Sequence, residues 1–310
     1  MIVRYLQNAL KPARCMVVLA LLLCVATLAS CARQRLTAFE QGSEFMDYGD
    51  YPRAIEKFKD IERREGGSLA LCYNLGVCYQ DMKDWEQAVK WYEKALEYDP
   101  RDGDTLVNLG LVYLEQGRDV AALARLKQAA DVEKDRAYPL VAMALYHQRR
   151  GEKDKAMELY KQAARREEKS GYLWFHWATL YETIEQNQGQ AAEAYERSIE
   201  YDSTNPAAFE GAARAYYRLN NWRKAVQHYD FAIHLQPDKP RLYVAAADAL
   251  IKLARYERAV QYLWNARGLK GADEKDIARR LLEIYPKLTE QERARLDPAS
   301  KESSAGGNNE

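Results

Sequence analysis

Histidine is scarce, with four in 310 residues, and none stands in a motif that would use it. HExxH, GxSxG, GxxxxGK followed by Ser or Thr, and a glycine fingerprint opening a strand are all missing. Catalytic residues, a metal site and a cofactor site therefore have no candidates, and no small-molecule substrate is evident. The chain reads as a non-enzyme. An excess of one charge sign is missing too, since 46 basic residues balance 46 acidic ones. Such a chain has no long-range field to gather nucleic acid, which excludes non-specific polyanion binding. Cysteines number five and contain no CxxC spacing. Cys72 and Cys78 are six residues apart on one expected helix, which separates their Cα atoms by about 9 Å, beyond the roughly 7 Å that a disulfide spans. They read as small buried apolar residues.

Long apolar runs are absent except for one, Cys15–Ser30, and its 16 residues are fewer than the roughly 20 that cross a bilayer as a helix. It follows Arg4, Lys11 and Arg14, with no acid among the first thirty residues, and ends in Leu28-Ala29-Ser30-Cys31. A basic segment, a short apolar run and a small-residue cleavage site are the parts of a secretory signal. The tetrapeptide resembles a bacterial lipobox. That resemblance implies that 1–30 is a lipoprotein signal peptide, that Cys31 takes a palmitate-type lipid, and that 31–34 is a lipidated N-terminus and tether. An uncleaved signal anchor, or cleavage after Ala29 or Ser30, are the other readings of the same segment. Ala32, where an aspartate would favour inner-membrane retention, implies an outer-membrane location facing the periplasm.

What the sequence has in abundance is periodicity. The stretch Leu69–Asp102 can be slid by 34 residues onto most of the chain. Leu75, Gly76 and Tyr79 share one face of a first helix, Ala88, Tyr92 and Ala95 share one face of a second, and Pro100 closes the unit. The alanine recurs as Ala54, Ala88, Ala122, Ala156, Ala191, Ala225 and Ala259, at steps of 34 with a single step of 35. This pattern resembles the tetratricopeptide repeat (TPR), whose period and small-large alternation mark helix-turn-helix solenoids. The implied fold is all-α, a TPR solenoid with right-handed superhelix. It has about seven repeats, 35–68, 69–102, 103–136, 137–170, 171–205, 206–239 and 240–273, followed by capping helices over 274–296. One elongated domain is expected, because each repeat buries its faces only against its neighbours. His147 takes a tyrosine position, the extra residue of repeat five is placed within Gln186–Gln190, and Thr289 with Glu292 matches a capping box. The tail 297–310 has no apolar residue larger than alanine and is expected to be disordered.

The resemblance also implies a surface, because in the family repeat positions 2, 5, 9, 12 and 13 of the first helices point into a groove. Through the middle these positions hold Tyr73, Val77, Gln80, Val107, Leu111 and Leu114, then Val141, Leu145, Tyr172 and Phe175. An exposed apolar stripe of that kind is a candidate docking groove for a peptide or helix. The competing reading is that the same residues are buried between adjacent first helices. Further on the mapping gives Arg214 and Arg218 with Glu210, Arg241, Asp248 and Lys252, a patch leaning basic, or else a solvated face with i,i+4 pairs Glu210–Arg214 and Asp248–Lys252. The carboxylate-holding lysine and asparagine of chaperone-binding TPR domains are reproduced by no repeat pair.

Together these observations imply a membrane-anchored scaffold of the cell envelope that binds other envelope proteins or peptides. It is similar to the TPR lipoproteins that serve pilus or secretion assembly or that position peptidoglycan hydrolases. A ligand- or carbohydrate-binding lipoprotein using groove aromatics, or a non-catalytic subunit of an envelope enzyme complex, are the alternatives.

Overall fold

The computed structural model describes residues 38–183 and 186–296, in which there are helices, turns and short connections and no β-strand. The expected signal peptide, Cys31, the tether and the tail 297–310 lie outside the described residues. The chain divides into two compact units at Glu133 and Lys134.

The N-terminal unit contains α1 (38–47), α2 (Tyr51–Glu65), α3 (Leu69–Asp81), α4 (Trp85–Tyr98), α5 (Gly103–Glu115) and α6 (Asp119–Val132). Four of its helices, α2 to α5, start where a short polar side chain takes an orphan backbone N–H. Asp50 accepts from Arg53, Ser68 from Leu71, Asp84 from Gln87 and Asp102 from Thr105, at 2.8–3.3 Å. Each such cap is worth about 1 kcal/mol. Within each pair the alanines Ala54, Ala88 and Ala122 have no exposed surface, as the 34-residue period requires of the closest helix contact. Gly76 is needed for the same closeness, since a Cβ there would lie 2.5 Å from the Tyr92 ring. The fully buried Tyr92 satisfies its hydroxyl by donating to Gln80 Oε1 at 2.8 Å. Repeat three replaces both partners, with Leu126 at the tyrosine place and Leu114 at the glutamine place, so the seam there has no tyrosine hydroxyl to satisfy. Cys72 and Cys78 are buried free thiols, and burial pushes Cys78 up to about 12.

The C-terminal unit contains α7 (Tyr138–Arg149), α8 (Lys153–Arg166), α9 (Gly171–Thr183), α10 (Gln188–Tyr201), α11 (Pro206–Arg218) and α12 (Trp222–Leu235). It continues with α13 (Pro240–Lys252), α14 (Tyr256–Arg267), α15 (Glu274–Ile284), a 3-10 turn (Tyr285–Lys287) and α16 (Glu290–Leu296). Ala156, Ala191, Ala225 and Ala259 are again without exposed surface. Tyr160 repeats the Tyr92 arrangement by donating to Gln148 Oε1 at 3.1 Å. The segment after repeat seven does more than solvate an end, because Ile277, Ile284, Leu288 and Leu296 join the core of Leu250, Val260 and Leu263. Thr289 and Glu292 close the expected capping box, with Thr289 N–H donating to Glu292 Oε2 at 2.7 Å and Glu292 N–H to Thr289 Oγ1 at 3.2 Å.

In both units the turn inside each repeat is made by one left-handed residue: Gly49, Lys83 and Gly117, then Gly151, Gln186, Asn220 and Ala254. The next residue's N–H returns to a carbonyl five residues back, as from Asp84 to Tyr79 and from Asn221 to Tyr216, both at 2.9 Å. In repeat five Asn187 reaches six back, to Tyr181, at the same 2.9 Å. The extra residue therefore lies before Gln186, and not within Gln186–Gln190 as expected. The alanines on either side, Ala156, Ala191 and Ala225, remain without exposed surface.

Candidate functional site

The first helices carry the residues expected to face a partner. On the N-terminal unit Tyr73, Val77, Gln80 and Leu111 are half-buried, whereas Val107 has no exposed surface and Leu114 is 8% exposed. On the C-terminal unit Val141 is fully buried, Leu145 and Phe175 are half-buried, and Tyr172 is the most exposed of the set at 36%. Val107, Leu114 and Val141 are thus core residues and contribute no docking surface. At repeat position 5 Val107 and Val141 are sealed in, while the larger Tyr73 and Phe175, and Val244 of the last repeat, are partly exposed. On the N-terminal unit's face Asn108 Nδ2 donates to Tyr73 Oη at 3.0 Å.

The face of the C-terminal unit is built differently. Glu182, at the repeat position of Gln80 and Gln148, is 8% exposed and collects three partners. Tyr195 Oη donates to Oε2 at 2.9 Å, Arg214 donates through Nε to Oε1 at 2.5 Å and through Nη2 to Oε2 at 2.8 Å, and Arg218 Nη1 donates to Oε1 at 3.2 Å. Burial pushes the Glu182 carboxyl up, but the hydrogen bonds and charge of Arg214, with Tyr195 and Arg218, outweigh it and hold the group below its ordinary value. A two-pronged guanidinium is the donor best matched to a carboxylate under these conditions. The same acid-to-arginine step recurs from Glu210 to Arg241 and from Asp248 to Arg280. The i,i+4 pairing expected of this patch is therefore secondary. Arg214 stands 3.9 Å from Glu210 and is bonded to Glu182 instead, and Asp248 takes Arg280 of the capping segment. Glu182 was not singled out from the sequence. Its signal was an acid at the position where other repeats carry glutamine, with an arginine 32 residues on.

Arg214 and Arg218, with Glu182, Thr183, Gln186 and Gln188, line an open cleft of about 740 Å³. The aromatic residues of α9 pack on one another. Trp174 and Trp177 stack in parallel at 5.0 Å, Trp177 stacks on Tyr160 at 5.9 Å, and the Arg197 guanidinium lies 4.5 Å from the Trp174 ring centre. Both indoles are only 8% exposed, and with Tyr181 and Arg197 they line a cavity of about 210 Å³. His147 bonds Glu152 through Nδ1 at 2.8 Å in the turn, a structural use of the tyrosine position. His176 packs edge-on against Tyr172 at 4.3 Å, and burial pushes its imidazole down to about 4. Among the described residues no three His, Cys, Asp or Glu side chains cluster as metal ligands, and no helix is long and apolar enough to cross a membrane.

Helix pairs joined by left-handed turns, sealed by alanine and tyrosine at a 34-residue period, define a protein-binding repeat scaffold. Two family models described as tetratricopeptide repeat match the chain, one over residues 68–135 and the other over 39–95, 186–240 and 210–274. The chain belongs to the tetratricopeptide repeat family, and is an interaction scaffold of that family rather than an enzyme. Neither of these two models spans 136–185, the stretch that holds His147 and the tryptophan stack. A photosystem I assembly protein Ycf3 of Prochlorococcus marinus is 28% identical over 89 residues, 28% of this chain and 51% of that protein. A Synechococcus Ycf3 is 27% identical over 90 residues, 28% and 52% respectively. The chain spans about half the length of these relatives. Among solved structures, the APC/C hetero-tetramer Cut9-Hcn1 aligns with 78% of this chain and 48% of its own at a TM-score of 0.60 and 14% identity. Pseudomonas aeruginosa pilF aligns with 69% of this chain and 97% of its own at 0.55 and 18%. At such identities the likeness is one of fold.

Proposed function

We propose that this chain is a lipid-anchored adaptor of a bacterial envelope, held by Cys31 at the outer membrane and presenting its repeats to periplasmic proteins during assembly of envelope machinery. The observation that carries the anchored part is the order of Arg4, Lys11 and Arg14, a 16-residue apolar run, and Leu28-Ala29-Ser30-Cys31 in the sequence. The assembly part is supported by the name of the Ycf3 relatives, which are photosystem I assembly proteins. It is also supported by a conspicuous polar cluster, Glu182 with Arg214 and Arg218, on a first-helix face, where the family binds partners. Partners are envelope proteins or peptides, and neither nucleic acid nor a cofactor is required.

Two measurements test this reading. Cys31→Ala should move the protein from the membrane to the soluble fraction, and a variant that stays in the membrane with its N-terminus intact would point to a signal anchor. Photo-crosslinking from Tyr172 in cells, followed by mass spectrometry, should trap envelope proteins. Capture of no protein above background would remove the adaptor role.

A further inference from the structure

The turns inside the repeats differ in charge between the two units. In repeats six and seven these turns are 218–224 and 252–258, and both lie wholly among the described residues. They carry Arg218, Arg223, Lys224, Lys252, Arg255 and Arg258 against Glu257, which Arg295 Nη1 approaches at 3.5 Å. Arg218, Lys224 and Arg258 are tied to Glu182, Glu196 and Asp230. Arg223, Lys252 and Arg255 are exposed and have no ion-pair partner among the described residues. The turn itself does not demand this charge. The same repeat positions of the N-terminal unit, 47–53 and 81–87, hold Asp47, Asp50, Asp81, Asp84 and Glu86 against Arg53 and Lys83. Asp50 and Asp84 cap their helices there, whereas Arg255 stands at the cap position of α14, where a cation is disfavoured, and makes no cap bond. Between the cations lie Leu219, Trp222, Leu253 and Tyr256. Leu219 is 45% exposed, and the other three are half-buried against one core, which sets the two turns side by side. Lys287 of the 3-10 turn joins the row, 5.6 Å from the Tyr256 ring centre.

We propose that this edge of turns lies against an anionic phospholipid surface, with Arg223, Lys252 and Arg255 among the headgroups and Leu219, Trp222 and Tyr256 at the boundary with the acyl chains. The proposal goes beyond the anchored-adaptor reading, because it gives the C-terminal unit a non-covalent membrane contact of its own. Cations alone would suit an acidic protein equally well. This row also exposes a leucine beside two amphipathic aromatic rings, and a headgroup layer over acyl chains supplies negative charge and apolar depth in one plane. Arginine and lysine can reach the phosphates while their methylene stems cover apolar surface. Each cation brought close to an anionic leaflet strengthens the association about fivefold. The N-terminal turns have apolar residues at the same places, Tyr48 with Tyr51 and Met82 with Trp85, but their acids would be repelled by the same surface.

The test is hydrogen exchange of the full-length chain reconstituted with vesicles of phosphatidylcholine and phosphatidylglycerol, compared with vesicles of phosphatidylcholine alone. In the anionic vesicles exchange in 218–224 and 252–258 should slow severalfold and recover when salt is raised. The turns 47–53 and 81–87 are the internal control and should exchange alike in both. Arg255→Asp removes a cation and supplies the cap that α14 lacks, so it cannot act by unfolding the helix. Combined with Arg223→Gln it should abolish the protection while helical circular dichroism is unchanged, and Leu219→Ser should weaken it. Equal exchange in the two kinds of vesicle, protection that survives Arg223→Gln with Arg255→Asp, or equal protection of the N-terminal turns would overturn the proposal. So would protection of 218–224 and 252–258 by soluble poly-glutamate but not by anionic vesicles, which would assign the edge to an acidic protein. Fractionation of Cys31→Ala in high salt, where the edge lets go, tests the anchor separately. Release of that variant from a chain whose turns are never protected would leave the anchor standing and the edge refuted. Protected turns in a chain that Cys31→Ala does not release would support the edge and remove the lipid anchor.

Discussion

The two units obey one repeat pattern and use it for opposite surfaces. In 38–133 the first-helix face has Tyr73 and Asn108 joined across it, with Val107 and Leu114 sealed in the core. In 134–296 the corresponding face is stepped with acids and arginines from Glu182 to Arg214, Glu210 to Arg241 and Asp248 to Arg280. Position 12 of the repeat shows the divergence in a single place, holding Gln80, Leu114, Gln148 and Glu182 in successive repeats. The first, third and fourth take the hydroxyl of a buried tyrosine, and the second faces a leucine that has none. The lesson is that the alanine and tyrosine seam carries the fold, and that position 12 follows the residue it faces, an acceptor opposite Tyr92, Tyr160 and Tyr195 and a leucine opposite Leu126.

The comparison breaks most visibly at position 12. Glu182→Ala leaves Tyr195 without an acceptor and Arg214 without its bidentate partner. The loss should be about 2–3 kcal/mol, below the roughly 3–5 of a fully buried pair because Arg214 is 40% exposed. Gln80→Ala in the N-terminal unit removes only a neutral acceptor and should cost about 1–2 kcal/mol. Urea denaturation gives the totals, and hydrogen exchange should place the first loss in α9 to α11 and the second in α3 and α4. Equal costs would mean that the arginines add nothing to the position.

Overpacking the seam should affect both units alike. Ala122→Leu and Ala225→Leu insert three carbons where no surface is exposed, and each should cost about 1–3 kcal/mol. Protection should be lost first in the repeat carrying the change and its neighbours. Uniform loss over the whole chain would contradict nearest-neighbour stability.

Acidity should separate the units again, since all four histidines lie in the C-terminal one. Burial pushes His228 down and His176 down to about 4, and the His228 Nδ1 is buried without a partner. A group whose folded pKa lies below its unfolded value of about 6.5 binds protons preferentially in the unfolded chain. Its stabilising effect is complete above a pH of about 6.5 and is eroded as pH falls from there through the folded value. Below that range Glu182, whose folded pKa is depressed, begins to lose its own contribution. Hydrogen exchange at about pH 7.5 and about pH 5, on either side of the unfolded value, should show the C-terminal unit weakening first, and His228→Gln should flatten its response. A parallel decline in α2 to α5 would assign the effect to carboxylates common to both units.

The smallest effect belongs to the turns. Ala254 and Lys83 hold the left-handed conformation at φ 56° and 60° without being glycine. A side chain there costs about 1–2 kcal/mol, and glycine costs about 0.5–1 in unfolded-state entropy, so Ala254→Gly and Lys83→Gly should each stabilise by up to about 1 kcal/mol. Gly117→Ala should move stability the other way. Thermal melts of the three variants suffice to check the signs.

The sequence by itself determined the repeat period, the alanine seam, the free cysteines and the capping box. Each is a local pattern or a recurrence, and the physical demand behind it, closeness of two helices or satisfaction of a helix end, is written in the residue at that position. Glycine stands at three of the left-handed turns, Gly49, Gly117 and Gly151, whereas Lys83, Gln186 and Ala254 take that conformation under the constraint of the helices on either side and against their own preference. Tertiary structure alone decided which first-helix residues remain at the surface. Val107 and Tyr73 occupy one repeat position and read alike as apolar, yet the distance between packed helices hides the shorter and exposes part of the longer. It also decided the partners of the charges. Glu210 and Arg214 are one helical turn apart in sequence, but the packing of α9 against its successors brings Glu182 to Arg214 with better geometry in a drier place, and there a bidentate pair outcompetes an exposed one.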